Sequence, residues 1–364
     1  MNRRRFLRLT GAAAATWALP RPNAVWAQPA GTPPWRVFEV ITHVEVLRPK
    51  GPSRVWVPLP LALEKDFQES LGNSWEAPGG HANFIHDERY GIGLVSAEWA
   101  DGVQPVLEVK SKVRVRDWSV ELAAHPGVQK LDPASRALWT APTRLLPTDG
   151  LVRSTAVEAT LGVKGGDIEK ARALYAWVCD NSFRDPKVRG CGLGDIQSML
   201  ATQSLGGKCA DINALFVGLA RALGIPARDA YGVRVGDSRR GYKALGKSGD
   251  ITKAQHCRAE FFAEGHGWTP VDPGDVRKVI LEEPPGNLPV DDAKVLAARA
   301  YLFGSWEGNW MAYNYGHDVA LPGSARLSVP FLMYPQAETA DGLRDCLDPG
   351  NFQYTLTSRE VSIS

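Results

Sequence analysis

Apolar and polar residues alternate in short runs along the first third of the chain, a pattern that predicts β-strands. Four such runs are separated by clusters of glycine, proline and asparagine: VFEVITHVEV, SRVWVPLPL, YGIGLVSAEW and PVLEVKSKVRV. Alternation of this kind buries one face of a strand and leaves the other face polar. We therefore predict an antiparallel β-sandwich over residues 35–120, about the size of one small domain.

Apolar spacing changes to a helical period in the middle of the chain. Two stretches place apolar residues three or four positions apart: DIEKARALYAWVCDNSF, and GGKCADINALFVGLARALGIPAR with its Gly-x-Pro stop. ARDAYGVRV then predicts a strand, and HCRAEFFAEGHGWTPVD predicts a hairpin with its turn at residues 264–267. The prediction is an α+β core over residues 166–290, preceded by the sandwich.

Two other segments have weaker patterns. Residues 121–165 contain several prolines and no clear periodicity, so we expect a connecting segment that lies across the core. Residues 291–364 are rich in tryptophan, tyrosine, asparagine and glycine, with one more strand-like stretch at residues 326–333. We expect this tail to be an arm packed on the core.

The N-terminus has the composition of an export signal. Arginines at positions 3–5 are followed by an alanine-rich apolar run that ends in a small-residue pattern at residues 25–27. These features are typical of a twin-arginine signal peptide, so we expect residues 1–27 to be removed and the folded protein to be periplasmic or secreted. Pro20 and Pro22 interrupt the apolar run well short of the roughly 20 residues that a membrane span needs, so we expect no span after cleavage.

The net charge and the length of the chain bear on its partners and on its number of domains. The formal charge of +2 includes five arginines of the leader, which has no acidic residue, so the mature chain carries −3. This charge gives no reason to expect a nucleic-acid partner. Removal of the leader would leave 337 of the 364 residues, enough for two ordinary domains with hydrophobic cores.

Five cysteines in an oxidising compartment could form two disulfides and leave one free thiol. As a hypothesis we pair Cys179 with Cys191, which bracket a short loop, and Cys257 with Cys346. Four cysteines allow three connectivities, so the sequence does not decide between them. This pairing would leave Cys209 as the free thiol.

Cys209 has the sequence context of a nucleophile. It follows Gly206, Gly207 and Lys208 at the predicted start of a helix, where unpaired backbone amides and the helix dipole stabilise an anion. The glycines would let a substrate backbone approach, and the Cys209 N–H could donate to a developing oxyanion. The alternative is a buried structural cysteine, which does not explain the Gly-Gly-Lys sequence before it.

The predicted hairpin supplies a base and an orienting carboxylate for this nucleophile. His256 and Asp272 lie on its two arms at equal distances from residue 264, so we expect them to face each other across antiparallel strands. His266 is a rival base, but it lies in the turn between glycines. Cys257 is expected to point away from the site, because strand neighbours face opposite sides.

Three segments together resemble the transglutaminase-like superfamily, in its bacterial exported branch: GGKCADINALFVGLARALGIPAR, QHCRAEFF and GWTPVDPGDVRK. The resemblance covers residues 165–280, and the β-domain and the YGHDVAL tail are also similar to parts of those proteins. It implies a papain-like core with Cys209 as nucleophile, His256 as base and Asp272 as orienting group. Papain-like proteases carry a glutamine shortly before the cysteine, which makes Gln203 a candidate second oxyanion donor; animal transglutaminases use a tryptophan much further back.

One other motif matches a known pattern. GYKALGKS, residues 241–248, fits the phosphate-binding sequence G-x-x-x-x-G-K-[ST], but no buried strand leads into it and a polar stretch follows it. The sequence contains no metal-binding or serine-hydrolase motif. We therefore expect no nucleotide, no cofactor and no metal.

The predicted function is that of an exported cysteine enzyme that acts on amide or acyl bonds through a thioester at Cys209. Water as the acceptor would make it a peptidase or amidase, which we favour, and an amine as the acceptor would make it a crosslinking acyltransferase. The alternative from another class is a non-catalytic binding or assembly module. The expected substrate is a peptide, a protein or a cell-wall amide. We expect Gly207, Lys208 and Trp268 to lie where this substrate approaches Cys209.

Overall fold

The computed structural model describes residues 33–64, 66–123, 127–325 and 328–362. The predicted leader, residues 1–27, lies outside these residues. No helix of the described chain is both long enough and apolar enough to cross a membrane.

Nineteen strands and seven helices are present in the described chain. The strands are β1 (Arg36–Val46), β2 (Ser53–Pro58), β3 (Leu63–Glu64), β4 (Gln68–Glu76), β5 (His81–Asp87), β6 (Ile92–Trp99), β7 (Val106–Val115), β8 (Trp118–Ser119), β9 (Phe183–Arg184), β10 (Gly206–Gly207), β11 (Ala227–Arg234), β12 (Gly249–Asp250), β13 (Gln255–Ala263), β14 (Gly267–Val271), β15 (Ser305–Trp306), β16 (Trp310–Asn314), β17 (Gln336–Thr339), β18 (Gly342–Leu343) and β19 (Phe352–Val361). The helices are α1 (Pro133–Thr140), α2 (Gly150–Ala159), α3 (Asp167–Asn181), α4 (Ile196–Ala201), α5 (Cys209–Ala222), α6 (Pro273–Glu282) and α7 (Ala293–Tyr301).

Two antiparallel sheets form the predicted β-sandwich. One sheet has the strand order β12-β19-β1-β7-β4-β3, and the other has the order β18-β17-β2-β6-β5. Inward-facing residues of both sheets, among them Val44, Val55, Val95 and Phe352, share one apolar core. The alternating pattern of the sequence therefore buries one face of each sheet, as two packed sheets require.

The C-terminal part of the chain contributes strands to three sheets. β19 pairs antiparallel with β1, β17 pairs with β2, and β16 pairs with β11. The strand expected at residues 326–333 is not formed: in the described part of that stretch only Val329 pairs, in an isolated bridge with Val319. The last strands thus complete sheets whose other strands lie far away in the sequence.

Segment 121–165, which shows no periodicity, contains the helices α1 and α2. Asp132 begins α1, and its side chain accepts a hydrogen bond from the Ser135 N–H at 2.9 Å. Val152 and Ala156 of α2 are buried in the same apolar core as α5. Helices this short have few apolar positions, so their period is hard to recognise in the sequence.

Helix α5 is the central element of the α+β core. All its residues are buried, and it packs against the antiparallel sheet β14-β13-β11-β16 and against helices α2, α3 and α6. Gly224 follows the helix with φ of +78°, a left-handed conformation that glycine adopts without strain. The apolar spacing of α3 and α5 correctly predicts both helices, and the start of α5 is the element on which the candidate site is built.

Candidate active site

Cys209 is the first residue of α5 and lines a cleft of about 520 Å³. The turn that carries it is held by Asp211, whose carboxylate accepts hydrogen bonds from the N–H groups of Lys208, Leu193 and Gly194 at 2.9–3.0 Å. One carboxylate therefore satisfies an amide at the helix start and joins a neighbouring loop to it. The position of the cysteine is fixed by this local network.

The glycines around Cys209 are required by packing. A Cβ on Gly207 would lie 2.4 Å from the Cβ of Asp211, and a Cβ on Gly206 would lie 2.3 Å from the ring of Phe183. Gly192 has φ of +93°, and a Cβ there would lie 1.8 Å from Asp211 Oδ2. The Gly-Gly sequence before the cysteine thus lets the Asp211 side chain fold back onto the loop.

His256 and Asp272 form a buried hydrogen bond beside Cys209. Nε2 of His256 lies 2.7 Å from Oδ2 of Asp272 and 3.3 Å from Oδ1 of Asp275. Cys209 is 4% exposed, His256 3% and Asp272 0%. Because Nε2 faces the carboxylates, the imidazole has its other nitrogen for the Cys209 thiol, with which it interacts.

The hairpin register differs from the predicted one. The turn lies between β13 and β14 as predicted, but Ala259 of β13 lies opposite Val271 of β14. The strand pairing is therefore centred on residue 265 and not on residue 264, and β14 ends before Asp272. Asp272 meets His256 from the N-cap of α6, where its Oδ1 accepts the Asp275 N–H at 3.0 Å. An Asp followed by Pro is a typical helix start. The carboxylate is therefore positioned by a helix cap and not by strand pairing.

Three residues that the sequence analysis did not single out complete this network: Asn213, Arg234 and Asp275. Asn213 Nδ2 donates to Oδ1 of Asp272 at 3.2 Å and to the carbonyl of Cys257 at 2.7 Å. Arg234 Nη2 donates to Oδ1 of Asp275 at 2.5 Å, and both side chains are buried. A sequence signal exists for Asp275, because DPGD places two carboxylates on the first turn of one helix. Asn213 lies one turn after the cysteine on α5.

Three cysteine thiols meet at the start of α5. Cys191 and Cys257 are both within hydrogen-bonding reach of Cys209. Sγ of Cys191 also lies 3.3 Å from the carbonyl oxygen of Gln255, an alternative acceptor for its single proton, and Sγ of Cys257 lies 3.7 Å from the sulfur of Met333. The expectation that Cys257 points away from the site is therefore wrong: it is held in the same apolar cluster as the other two cysteines.

All five cysteines are free thiols, which contradicts the two disulfides expected from the sequence. Cys179 belongs to the core around α3 and α5, whereas Cys191 belongs to a separate cluster with Cys209 and Cys257. Cys346 is only partly buried at the edge of that cluster. Five cysteines are enough for two disulfides, but each bond needs Cα atoms within about 7 Å. That condition depends on the tertiary structure.

The surroundings of Cys209 stabilise its thiolate. The hydrogen bond from Cys191 lowers the pKa of Cys209 most, and the hydrogen bond from Cys257 lowers it next. Burial raises the pKa of Cys209, and His256 lowers it again. The resulting pKa lies well below the usual range of a thiol. The hydrogen bond with Cys209 raises the pKa of Cys191, and burial raises that of Cys257, so both remain protonated donors. The helix N-terminus adds to this stabilisation.

The charges around His256 favour its protonated form. Burial and then the positive charge of Arg234 oppose protonation, but Asp275 and Asp272 outweigh them and raise the pKa of His256 to about 9. Burial also opposes ionisation of Asp275, yet Arg234 and then His256 hold the pKa of this carboxyl well below its usual range. The two shifts act together and favour a thiolate next to an imidazolium.

One group of side chains in the described chain has ligand atoms close enough together to surround a metal ion. The ligand atoms of His256, Asp272 and Asp275 lie within 4.8 Å of one another. Arg234 already donates to Asp275, and Nε of Arg258 lies 3.7 Å from Oδ2 of Asp272. Two guanidinium groups would repel a cation at this position. The group fits a charged hydrogen-bond network better than a metal site.

The other predicted site residues have different positions. Lys208 lines the cleft directly beside the cysteine. Gln203 follows α4, is exposed and has φ of +54°. Trp268 packs edge-to-face on Trp139 in a separate aromatic cluster. Neither Gln203 nor Trp268 lines the cleft. His266, the rival base, lies in the turn between β13 and β14.

The segment that matches a phosphate-binding pattern, residues 241–248, is part of a loop between β11 and β12. The short strand β12 follows it where a phosphate-binding motif would open a helix. Two residues of the segment, Gly246 and Lys247, line the same cleft as Cys209.

Comparisons with known proteins identify the family and the fold. Residues 153–273 match the family described as the transglutaminase-like superfamily. An uncharacterized protein of Haemophilus influenzae is 32% identical over 346 residues, which are 89% of this chain and 92% of that protein. A candidate cysteine protease from Cytophaga hutchinsonii has a TM-score of 0.58 at 12% identity, over 91% of this chain and 92% of its own.

The periplasmic domain of TgpA from Pseudomonas aeruginosa is less similar. It has a TM-score of 0.33 at 16% identity and covers 64% of this chain and 90% of its own. A score of this size does not bear on function. The Cytophaga hutchinsonii structure supports the fold, which is the α+β core with an antiparallel sandwich.

Proposed function

Because this chain belongs to the transglutaminase-like superfamily, we propose that it is a cysteine enzyme that cleaves amide bonds. Cys209 is the proposed nucleophile, His256 the proposed acid and base, and Asp272 the proposed orienting group. The observation that carries the proposal is the buried contact of a helix-start cysteine with an imidazole whose Nε2 lies 2.7 Å from a carboxylate. A purely structural cysteine needs no such partners.

The proposed acylation begins with a thiolate. Cys209 Sγ attacks the carbonyl carbon, a C–S bond forms, and the carbonyl electron pair moves onto the oxygen. The Cys209 N–H is first in its helix and has no partner within it, so we assign it as an oxyanion donor. The proton of His256 passes to the amine as the C–N bond breaks, which leaves a thioester. Gln203 does not line the cleft, so it receives no role.

The proposed second half-reaction is hydrolysis. His256 removes a proton from water, the resulting hydroxide attacks the thioester carbonyl, and the Cys209 thiolate leaves. The exposure of Lys247, Asp250 and Lys253 at the rim supports access of water to the cleft. Release of free acid from an amide substrate, compared with incorporation of a fluorescent primary amine, tests this direction. Predominant amine incorporation would instead make the protein an acyltransferase.

We infer that the enzyme acts outside the cytoplasm, on a peptide, a protein or a cell-wall amide. The twin-arginine pattern of residues 1–27 supports export. Fusion of this leader to a reporter, with both Arg4 and Arg5 replaced by lysine as the control, tests it directly. Export of the control fusion, or retention of the native one, would contradict the proposed route.

Thiol labelling of the folded protein is the first experiment for the nucleophile. Iodoacetamide should alkylate Cys209 rapidly and remain effective below neutral pH, because the thiolate persists there. His256→Ala should raise the pKa of Cys209 and slow its labelling below neutral pH, because one of the groups that stabilise the thiolate is lost. Cys209→Ala should lose amide hydrolysis while the fold is retained. An ordinary thiol profile at Cys209 in a correctly folded protein would exclude the proposed mechanism and favour a binding module.

A further inference from the structure

The cleft around Cys209 is lined mainly by cations. Its basic residues are Arg184, Lys208, Arg234, Lys247, Lys253 and Lys278, and Asp250 is its one carboxylate among the lining residues described. The chain as a whole carries a formal charge of only +2. The concentration of positive charge is therefore a property of this cleft and not of the protein surface in general.

Internal ion pairs compensate only the deeper part of this charge. Arg234 is paired with Asp275 at 2.5 Å, and Arg184 is paired with Glu282. Of the four lysines of the cleft, three make no ion pair with any described residue: Lys208, Lys247 and Lys253. Asp250 is near two of them, so it offsets part of their charge. Deeper in the site, Arg258 lies 3.7 Å from Asp272, and the imidazole of His256 faces the Cys209 thiol. The three unpaired lysines outnumber Asp250, so the mouth of the cleft is net positive.

Lys278 shows that even the deeper charge is incompletely balanced. Its side chain is 20% exposed, and its nearest carboxylate, Glu282, lies 3.7 Å away and is shared with Arg184. Burial and then the positive charge of Arg234 lower the pKa of Lys278. Asp275, which is already paired with Arg234, and then Glu282 favour its charged form. This mostly buried ammonium therefore shares both of its carboxylates with other cations, which is costly unless a further anion approaches it.

The cations reach the cysteine from separate parts of the chain. Lys208 directly precedes Cys209, Lys278 comes from α6, and Lys247 and Lys253 come from the loop around β12. Charges of one sign on the walls of a cleft focus the electric field into it and raise the local concentration of anions. A substrate that reaches the thiolate must pass through this field.

We propose that the cleft selects acyl substrates with a carboxylate close to the scissile amide, and that Lys208, Lys247 and Lys253 bind this carboxylate. A peptide with glutamate, aspartate or a free C-terminus beside the bond has this chemistry. Lysines act on it as point charges, without the bidentate geometry of arginine. The inference rests on the proposed role of Cys209 as nucleophile.

Two alkylating reagents of nearly equal size test this selection without a known substrate. Iodoacetate is anionic and iodoacetamide is neutral. The rate constant for iodoacetate at Cys209 divided by that for iodoacetamide therefore reports the electrostatic potential in the cleft. Mass spectrometry separates Cys209 from the other cysteines, and N-acetylcysteine provides the reference ratio. We expect a ratio at least about tenfold above the reference at low salt, and a smaller one at high salt.

Charge-removing variants locate the effect. Lys208→Gln, Lys247→Gln and Lys253→Gln should each lower the ratio by about two- to fivefold, as expected for one partly screened charge, and the triple variant should approach the reference. Lys164→Gln removes the same charge from an exposed position outside the cleft and should leave the ratio unchanged.

The outcomes separate this inference from the proposed function. Slow reaction of Cys209 with both reagents would overturn the nucleophile itself. Fast reaction with iodoacetamide at the reference ratio would leave the nucleophile in place and overturn carboxylate selection. Peptide pairs that differ by Glu against Gln beside the cleaved bond extend the test to turnover: kcat/KM should favour Glu, and the triple lysine variant should lose this preference.

Discussion

Replacement of Asp275 by asparagine should lower the pKa of His256. Oδ1 of Asp275 lies 3.3 Å from Nε2 of the ring and makes the larger charge contribution of the two carboxylates there. Its removal also leaves Arg234, now 2.5 Å from Asp275, without an anionic partner. The loss of the Asp275 charge and the unpaired charge of Arg234 both disfavour the imidazolium, so both lower the pKa of His256.

The size of the effect follows from the balance of charges. The pKa of His256 is raised from 6.5 to about 9, which corresponds to a free energy on the order of 3 kcal/mol in favour of the charged ring. Loss of the larger charge contribution should lower the pKa of His256 by about 1 or more, a free energy on the order of 1 kcal/mol. Because the folded-state pKa is the higher one, this stabilisation is complete below about pH 6.5 and is lost as pH rises through about 9.

NMR titration of the His256 ring, assigned with His256→Gln, measures this pKa directly. The upper limb of the pH profile of kcat/KM should report the same group and move from about 9 to about 8 or below in Asp275→Asn. Urea unfolding at about pH 6.5 and at about pH 9 measures how much the free energy of unfolding falls as pH rises. This decrease should be smaller in Asp275→Asn than in the wild-type protein. Asp101→Asn changes an exposed turn carboxylate outside the site and is the matched control.

A second variant makes the test sharper. Arg234 opposes protonation of His256 more strongly than Asp275 favours it, so Arg234→Gln/Asp275→Asn should return the pKa toward the wild-type value. The double variant also avoids an uncompensated buried charge, which costs about 3–5 kcal/mol when one partner is removed. A ring that still titrates near 9 in folded Asp275→Asn would refute the assignment of Asp275 as its main charge partner.

Three further predictions concern the start of α5 and the sheet below it. Asp211→Ala leaves three N–H groups without their hydrogen-bond acceptor. It should therefore lower the free energy of unfolding by about 3 kcal/mol in urea denaturation, and an unchanged value would contradict the prediction. Cys191→Ala should raise the pKa of Cys209, seen as slower iodoacetamide labelling at low pH, whereas Cys346→Ala should not. Gly232→Ala places a Cβ 2.1 Å from a carbonyl oxygen of β16 and should lower Tm or prevent folding; a soluble variant with wild-type Tm would exclude this clash.

The sequence by itself determined the local elements and the nucleophile candidate. The periods of apolar residues predict the sandwich strands, α3 and α5, because burial of one face imposes a fixed spacing on each element. The position of Cys209 follows from the same reasoning, since a Gly-Gly-Lys sequence before an apolar helical pattern marks a helix start. His256 and Asp272 could be paired because a hairpin returns the chain within a few residues.

Contacts between distant segments were decided only by the tertiary structure. The second carboxylate partner of the imidazole, Asp275, comes from α6, Arg234 behind it comes from β11, and the flanking thiol of Cys191 comes from a loop. No local pattern links these residues to Cys209. The absence of disulfides among the described cysteines and the closure of the first sheet by β19 have the same origin. Hydrogen bonds and charges act over a few ångströms of space, and only the folded chain places residues far apart in sequence within that distance.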